Sequence, residues 1–316
     1  MITQSKFSII HKAVSQDNNV LSIEQMCSIA GVSRSGYYNW LNSAPNRTVR
    51  EEKDQSDFSI ILEAYNYRGY WKGARSIYMR LLHINIVMNL KKIRRLMNKY
   101  GLKCPYRGAN AYRRMAKAMK TDKVFANIVN REFFKNGARK VLLTDITYLF
   151  YKGGVCYLST IIDAFTREVL GYELSVSLQV EFVLNTVDKL IKEHGCTLDD
   201  TTIVHSDQGC HYTSNAFISK IKSNGFVQSM SRKGNCWDNA PQESFFGHMK
   251  DEIMYYVSEC VTFEEVRERI DDWIDYYNND RYQWELAKLS PKEYYKYVKT
   301  GVYPLKTWGS APNPEV

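Results

Sequence analysis

The sequence predicts a mixed α/β chain: small all-α units at the front, then an α/β domain built on a five-stranded mixed sheet. Three observations carry this prediction. Up to about residue 104 the apolar residues recur at helical spacing. From about Asn127 onward, short runs rich in β-branched and aromatic residues alternate with helical stretches. The charge divides at nearly the same place. Residues 1–120 carry 21 Lys+Arg against 7 Asp+Glu, and the remainder carries 22 against 27, within a total of +9. A basic front of this size is an electrostatic footprint for nucleic acid, the plainer alternative being a solvated positive surface.

At 316 residues, with 44% hydrophobic and 24% charged residues, the chain has room for two or three domains with ordinary cores. It contains no apolar run of membrane-spanning length, and its first residues, MITQSKFSII, lack a signal-peptide profile. Seven cysteines without a CxxC pair, an odd number, argue against a disulfide framework. The expectation is a soluble cytoplasmic protein.

Residues 1–44 form the first expected unit. Ile23, Met26, Cys27 and Ala30 lie at helical spacing, Gly31 turns the chain, and Ser33 caps a second helix reaching Trp40 and Leu41. This is the layout of a helix-turn-helix, whose second helix can enter a major groove. Arg34, Ser35, Tyr37, Tyr38 and Asn39 would then be its contacts, although the aromatics could instead pack a three-helix core. Residues 44–57 are polar, contain Pro45, and read as a linker running into a helix.

A second helical unit is expected over 45–104. It holds two amphipathic helices, GARSIYMRLL and NLKKIRRLMNKY, the latter closed by Gly101. Lys91, Lys92, Arg94 and Arg95 cluster on the second of these and are candidate DNA contacts. Residues 105–126, including Arg113 and Arg114, form a basic arm that either tracks phosphates or is a plain linker.

The domain expected over 127–280 begins with three strands, VLLTDITYLFY, VCYLSTIID and EVLGYELS, joined by short turns as a meander. A helix over 181–194, a strand TIVH, a helix over 214–224, a strand VQSM and a long helix follow, with residues 281–316 left as a tail. Three strands, helix, strand, helix, strand, helix is the element order of a ribonuclease-H-like domain. The final helix start is strongly marked. Asn239 reads as its N-cap, Pro241 lies in its first turn, and Gln242 completes a capping-box spacing. Glu243 and Lys250, seven residues apart, then share one face.

Three acids stand where carboxylates make poor structural sense. Asp145 interrupts an apolar strand, Asp207 follows IVH, and Glu243 is expected to face inward from its helix. Burying them costs several kcal/mol unless a cation compensates. An oxygen-only set suits Mg2+ or Mn2+, and two such ions about 4 Å apart form a clamp for in-line displacement at phosphorus. His205, Cys210 and His211 offer no tetrahedral zinc set at the usual spacing.

Taken together, TDITYL, HSDQGCHYTS, SMSRKGNCWDNAPQESFFGHMK and YNNDRYQWELAKLSP resemble the DDE transposases of the insertion-sequence-three family, relatives of retroviral integrases. The 35 residues between Asp207 and Glu243 match the spacing of that family. The resemblance runs from the helix-turn-helix to Pro291. It implies that Asp145, Asp207 and Glu243 are a catalytic triad holding two Mg2+ or Mn2+ ions, and that Lys250 contacts terminal DNA. Arg232, Lys233, Asn239 and Arg281 are further expected DNA contacts. Asn278 and Arg281 fit the C-terminal signature YNxxRPH, but Tyr282 and Gln283 depart from it.

The function implied is binding of an element's terminal inverted repeats, followed by strand cleavage and transfer. The partners implied are double-stranded DNA and a second copy of the chain, or more, on paired ends. A DNA-binding regulator derived from a transposase, and a nuclease without joining activity, are the alternatives.

Overall fold

A computed structural model describes residues 3–16, 19–105, 125–129, 133, 136–232 and 236–306, and the chain divides into two compact units, Met1–Glu63 and Ala64–Val316.

In the first unit, α1 (Thr3–Val14), α2 (Ile23–Ala30) and α3 (Arg34–Asn42) pack through Phe7, Ile10, Met26, Cys27 and Tyr37. Ser22 and Gln25 make a reciprocal capping box at the start of α2, and Gly31 ends that helix at φ 63°, where a Cβ would be strained. The Ser33 hydroxyl accepts from the Gly36 amide and starts α3. The helix-turn-helix expected from the sequence is therefore present.

The linker expected over 44–57 is not. Residues 44–66 are one continuous helix, α4 (Ala44–Asn66). Pro45 lies in its first turn, where a missing N–H costs nothing. Arg47 donates to Ser43 Oγ at 2.6 Å and stacks its guanidinium 4.2 Å from the Trp40 ring, which pins that turn to α3.

The second unit holds both the other helical module and the sheet. The module is α5 (Ala74–His83) and α6 (Leu90–Lys99), the latter capped by Asn89 and followed by Gly101 at φ 69°. The sheet comprises β1 (Val141–Tyr151), β2 (Gly154–Asp163), β3 (Val169–Ser175), β4 (Ile203–Ser206) and β5 (Val227–Met230), in the order β3-β2-β1-β4-β5. The β1–β2 and β2–β3 pairs are antiparallel, whereas β1–β4 and β4–β5 are parallel. This is the five-stranded mixed sheet of the ribonuclease-H-like fold.

Helices cover both faces. On one, α9 (Ala240–Glu259) and α10 (Phe263–Asn279) set Phe245, Met249, Ile253 and Trp273 against Val141, Leu143 and Leu149. On the other, α7 (Val180–His194) and α8 (Asn215–Ser223) set Phe182, Val187, Leu190 and Phe217 against Leu142, Ile161 and Val204. Because both faces are covered, the start of β1, Val141, Leu142 and Leu143, is buried and apolar without alternation. Gly153, in the β1–β2 turn, has no room for a side chain: a Cβ there would fall on the Val261 carbonyl oxygen. Among the described residues, no helix is long and apolar enough to cross a membrane. The last helix, α11 (Pro291–Thr300), starts with a capping box of Ser290 and Glu293.

Candidate active site and nucleic-acid-binding surfaces

The sheet register brings the first two acids together. Leu143 pairs with His205 across the parallel β1–β4 ladder, so two residues further on Asp145 comes beside Asp207, which follows the end of β4. On the other edge of β1, Asp145 pairs with Thr160 of β2. The buried Gln242 side chain donates to the Thr160 hydroxyl. That bond holds the first turn of α9 over the middle of β1, and Glu243 is the next residue.

The electrostatics follow this geometry. The Asp145 carboxyl is raised to about 8, first by burial and then by the negative charges of Asp207 and Glu243, against the Ile146 N–H and the Lys250 ammonium. Asp207 is exposed as a residue, yet burial of its carboxyl still raises its pKa against the Gly209 N–H and His211. The Asp145 carboxylate accepts from the Ile146 amide at 2.8 Å, and that of Asp207 from the Gly209 amide at 2.8 Å. In this arrangement, no three His, Cys, Asp or Glu side chains among the described residues are close enough to share one ion. The donors are nonetheless oxygen-only, and their mutual repulsion is the condition a hard divalent cation relieves.

Three expectations at this site change. Glu243 is exposed at the rim rather than facing inward. The capping box at Asn239 and Gln242 does not form, because a 3-10 turn at Cys236–Asn239 leads into α9 and Gln242 is drawn into the sheet. Asn239 is itself buried, with no partner on its side-chain oxygen, and so is not presented as a DNA contact.

Several supporting residues were not legible from motif spacing. Tyr212 is fully buried, its hydroxyl raised by burial first and then by the charges of Asp145 and Asp207. Its neighbour is the Thr144 hydroxyl. Asp238, inaccessible to solvent, receives the Arg232 backbone amide and two guanidinium bonds at 2.9 Å, plus the Asn127 amide. Arg232 therefore braces the loop before α9 while half its side chain stays exposed. His205 is buried between Ser229 and Ser231, and desolvation lowers its pKa to about 4, so it is a neutral structural group. Nothing in its pattern resembles a metal ligand.

The basic faces divide unevenly. In the first unit, α3 exposes Arg34, Ser35, Tyr38 and Asn39, and Arg34 pairs loosely with Glu24 at 3.7 Å. Tyr37 is buried in the core and is withdrawn from the expected contacts. In the second unit, α6 buries Ile93, Leu96 and Met97 and exposes Lys91, Arg94, Arg95 and Lys99, with Lys92 half-buried. Lys250 is also half-buried.

Arg281 was expected to touch DNA, and here too the structure differs. Its guanidinium is buried against Glu252 of α9, at 2.9 Å from Nε and 2.8 Å from Nη2. The buried aromatics of α10 near it, Trp273, Tyr276 and Tyr277, leave an ion pair as the low-cost state for that charge. Arg113, Arg114 and Lys233 lie outside the described residues.

Comparison with known proteins gives a consistent picture. Integrase core domains match residues 135–236 and 243–297, and an HTH-like domain matches residues 51–110. The chain is 30% identical over 285 residues to InsK of insertion sequence element IS150 of Escherichia coli (strain K12), covering 90% of this chain and 96% of that one. It is 32% identical over 260 residues to the transposase for insertion sequence element IS904 of Lactococcus lactis subsp. lactis (strain IL1403), covering 78% and 98%. Among solved structures it is similar to the catalytic core domain of BIV integrase, with TM-score 0.41 and 17% identity over 52% of this chain and 97% of that one.

Proposed function

The chain belongs to the insertion-sequence transposases that carry an integrase core domain, and we propose that Asp145, Asp207 and Glu243 are its catalytic triad. One observation carries the reading: in this fold the Asp145 carboxyl feels the charges of both Asp207 and Glu243. Three separate stretches of sequence supply those acids, two of them within electrostatic reach of the third.

The triad would hold Mg2+ or Mn2+. When bound, a pair of such ions supplies activation of the attacking water or 3′-hydroxyl and relief of the charge on the leaving oxygen. The chain's own residues do the rest. Asp145 is aimed from within β1 and Asp207 from the residue that follows β4, and Gln242 fixes the helix that carries Glu243. Lys250, on the same helix and within electrostatic reach of Asp145, would hold a phosphate of the DNA end beside the acids. The exposed cations of α6, with α3 in the other unit, would bind the terminal inverted repeats. Strand cleavage would free a 3′-hydroxyl at each end, and the same site would then use it to attack another phosphodiester. Two paired ends call for a dimer or larger assembly.

The test is incubation of the chain with labelled duplexes carrying the element's ends, in Mg2+. Joined products are expected. Cleavage without joining would make it a nuclease, and binding alone a regulator. Asp207→Asn is expected to abolish both chemical steps while leaving DNA affinity intact, and full joining by that variant would sink the triad assignment.

A further inference from the structure

The helix pair α5–α6, together with the 3-10 turn Tyr67–Gly69 that precedes it, is fastened to the catalytic domain by contacts that neither DNA binding nor phosphoryl chemistry explains. The Tyr67 hydroxyl donates to Asp280 Oδ1 at 3.0 Å, and Arg68 bonds Asp275 at 2.7 Å. The Tyr282 ring stacks on His83 of α5, centroids 3.5 Å apart and planes within 13°, and its hydroxyl accepts from Arg80 at 3.4 Å. The residue between Asp280 and Tyr282 has a different partner. Arg281 is the buried partner of Glu252, which also accepts from Trp273 Nε1 at 3.0 Å. Glu252 lies on α9, two residues after Lys250 and on the same helix as Glu243.

One short turn, Asp280–Tyr282, thus grips the DNA-facing module with its outer residues and the catalytic helix with its central one. We propose that this turn is a spacing lock. It fixes α6 at one distance and orientation from the carboxylates, so that the phosphodiester to be cut is chosen by a rigid offset from the sequence that α6 touches. Tyr282, Arg68 and Arg281 are then positioning residues. The lock also gives a use to Tyr282, where this sequence departs from the signature it otherwise resembles. Rigidity matters because a displacement of ~1 Å at a reacting centre costs on the order of a hundredfold in rate. A loosely tethered module would leave several neighbouring phosphodiesters to compete.

The inference rests on the reading that α6 binds DNA and that the triad cuts it. Its test maps nicks at single-nucleotide resolution on a labelled duplex carrying the inverted repeat that flanks the gene, with the full chain in Mg2+. Tyr282→Phe keeps the stack and should keep a single cut. Tyr282→Ala should hold its DNA affinity within about threefold, since no phosphate contact is lost, but spread the cuts over adjacent phosphodiesters. Arg68→Ala removes a partly exposed cation with its surface ion pairs to Asp272, Asp275 and Asp280 and no packed ring, so it should fold even where Tyr282→Ala does not, and it should spread the cuts in the same way. Cuts confined to one phosphodiester in a folded Arg68→Ala chain, at whatever rate, would overturn the lock. If that happens while Asp207→Asn is inert, the lock fails and the triad stands. If the wild-type chain itself does not cut, the catalytic reading fails first.

Discussion

In protein stripped of divalent cations, Asp145 is a source of instability, and the sign of its effect can be worked out. An unfolded aspartate titrates near 3.8, whereas the folded carboxyl titrates at about 8 because of burial and of Asp207 and Glu243. Between those values the folded state binds the extra proton, so stability must fall as pH rises through that window. Above pH 8 the whole penalty is present. Asp145→Asn should therefore raise the melting temperature of chelated protein by a few degrees at pH 8 and change it little at pH 4. Added Mg2+ should stabilise the wild type at pH 8 and leave Asp145→Asn unmoved. Differential scanning fluorimetry across pH, with and without Mg2+, decides it; a variant no more stable than wild type at pH 8 would mean that the acids do not crowd one another in solution.

The elements that aim this site are held by a second charged cluster, remote from the acids. Arg139, just before β1, donates to Asp163 at the end of β2 at 3.1 Å and to Glu168, just before β3, at 2.6 Å, all three side chains being buried. Its guanidinium also lies 4.0 Å from the Tyr295 ring. Removing only the arginine strands two buried carboxylates, so Arg139→Met should cost about 3–5 kcal/mol, read as a lower urea midpoint with an unchanged slope. At this scale much of the fold was legible in the sequence. The succession of strands and helices followed from β-branched runs and turns, and the acids stood out at element edges where carboxylates make poor structural sense. What stayed hidden depended on contacts distant in sequence. Gln242 looked like half of a capping box until the sheet offered it Thr160, and Arg281 looked like a surface cation until Glu252 claimed it. Residues 44–57 looked like a linker because their polarity is that of a solvated helix as much as of a loop, and nothing local showed Arg47 folding back onto Trp40.

Across the whole chain, two helix-turn-helix modules compete for the role of principal DNA anchor, and charge separates them. The candidate recognition helix of the first unit, α3, carries a single cation, Arg34, already paired with Glu24. The exposed face of α6 carries Lys91, Arg94, Arg95 and Lys99, with no acid anywhere in the helix. Each phosphate neutralised on duplex DNA steepens the dependence of log K on log salt by about 0.9. If α6 is the anchor, a combined Lys91→Ala, Arg94→Ala, Arg95→Ala chain should lose about 2 to 3 from that slope, uniformly over DNA sequences. Arg34→Ala should lose at most about 1. Fluorescence anisotropy of a labelled terminal-repeat duplex, titrated at several salt concentrations, measures both. A larger loss for Arg34→Ala would move the anchor to the first unit. It would also detach the DNA register from α6, and with it the reason for fastening that helix to the catalytic core.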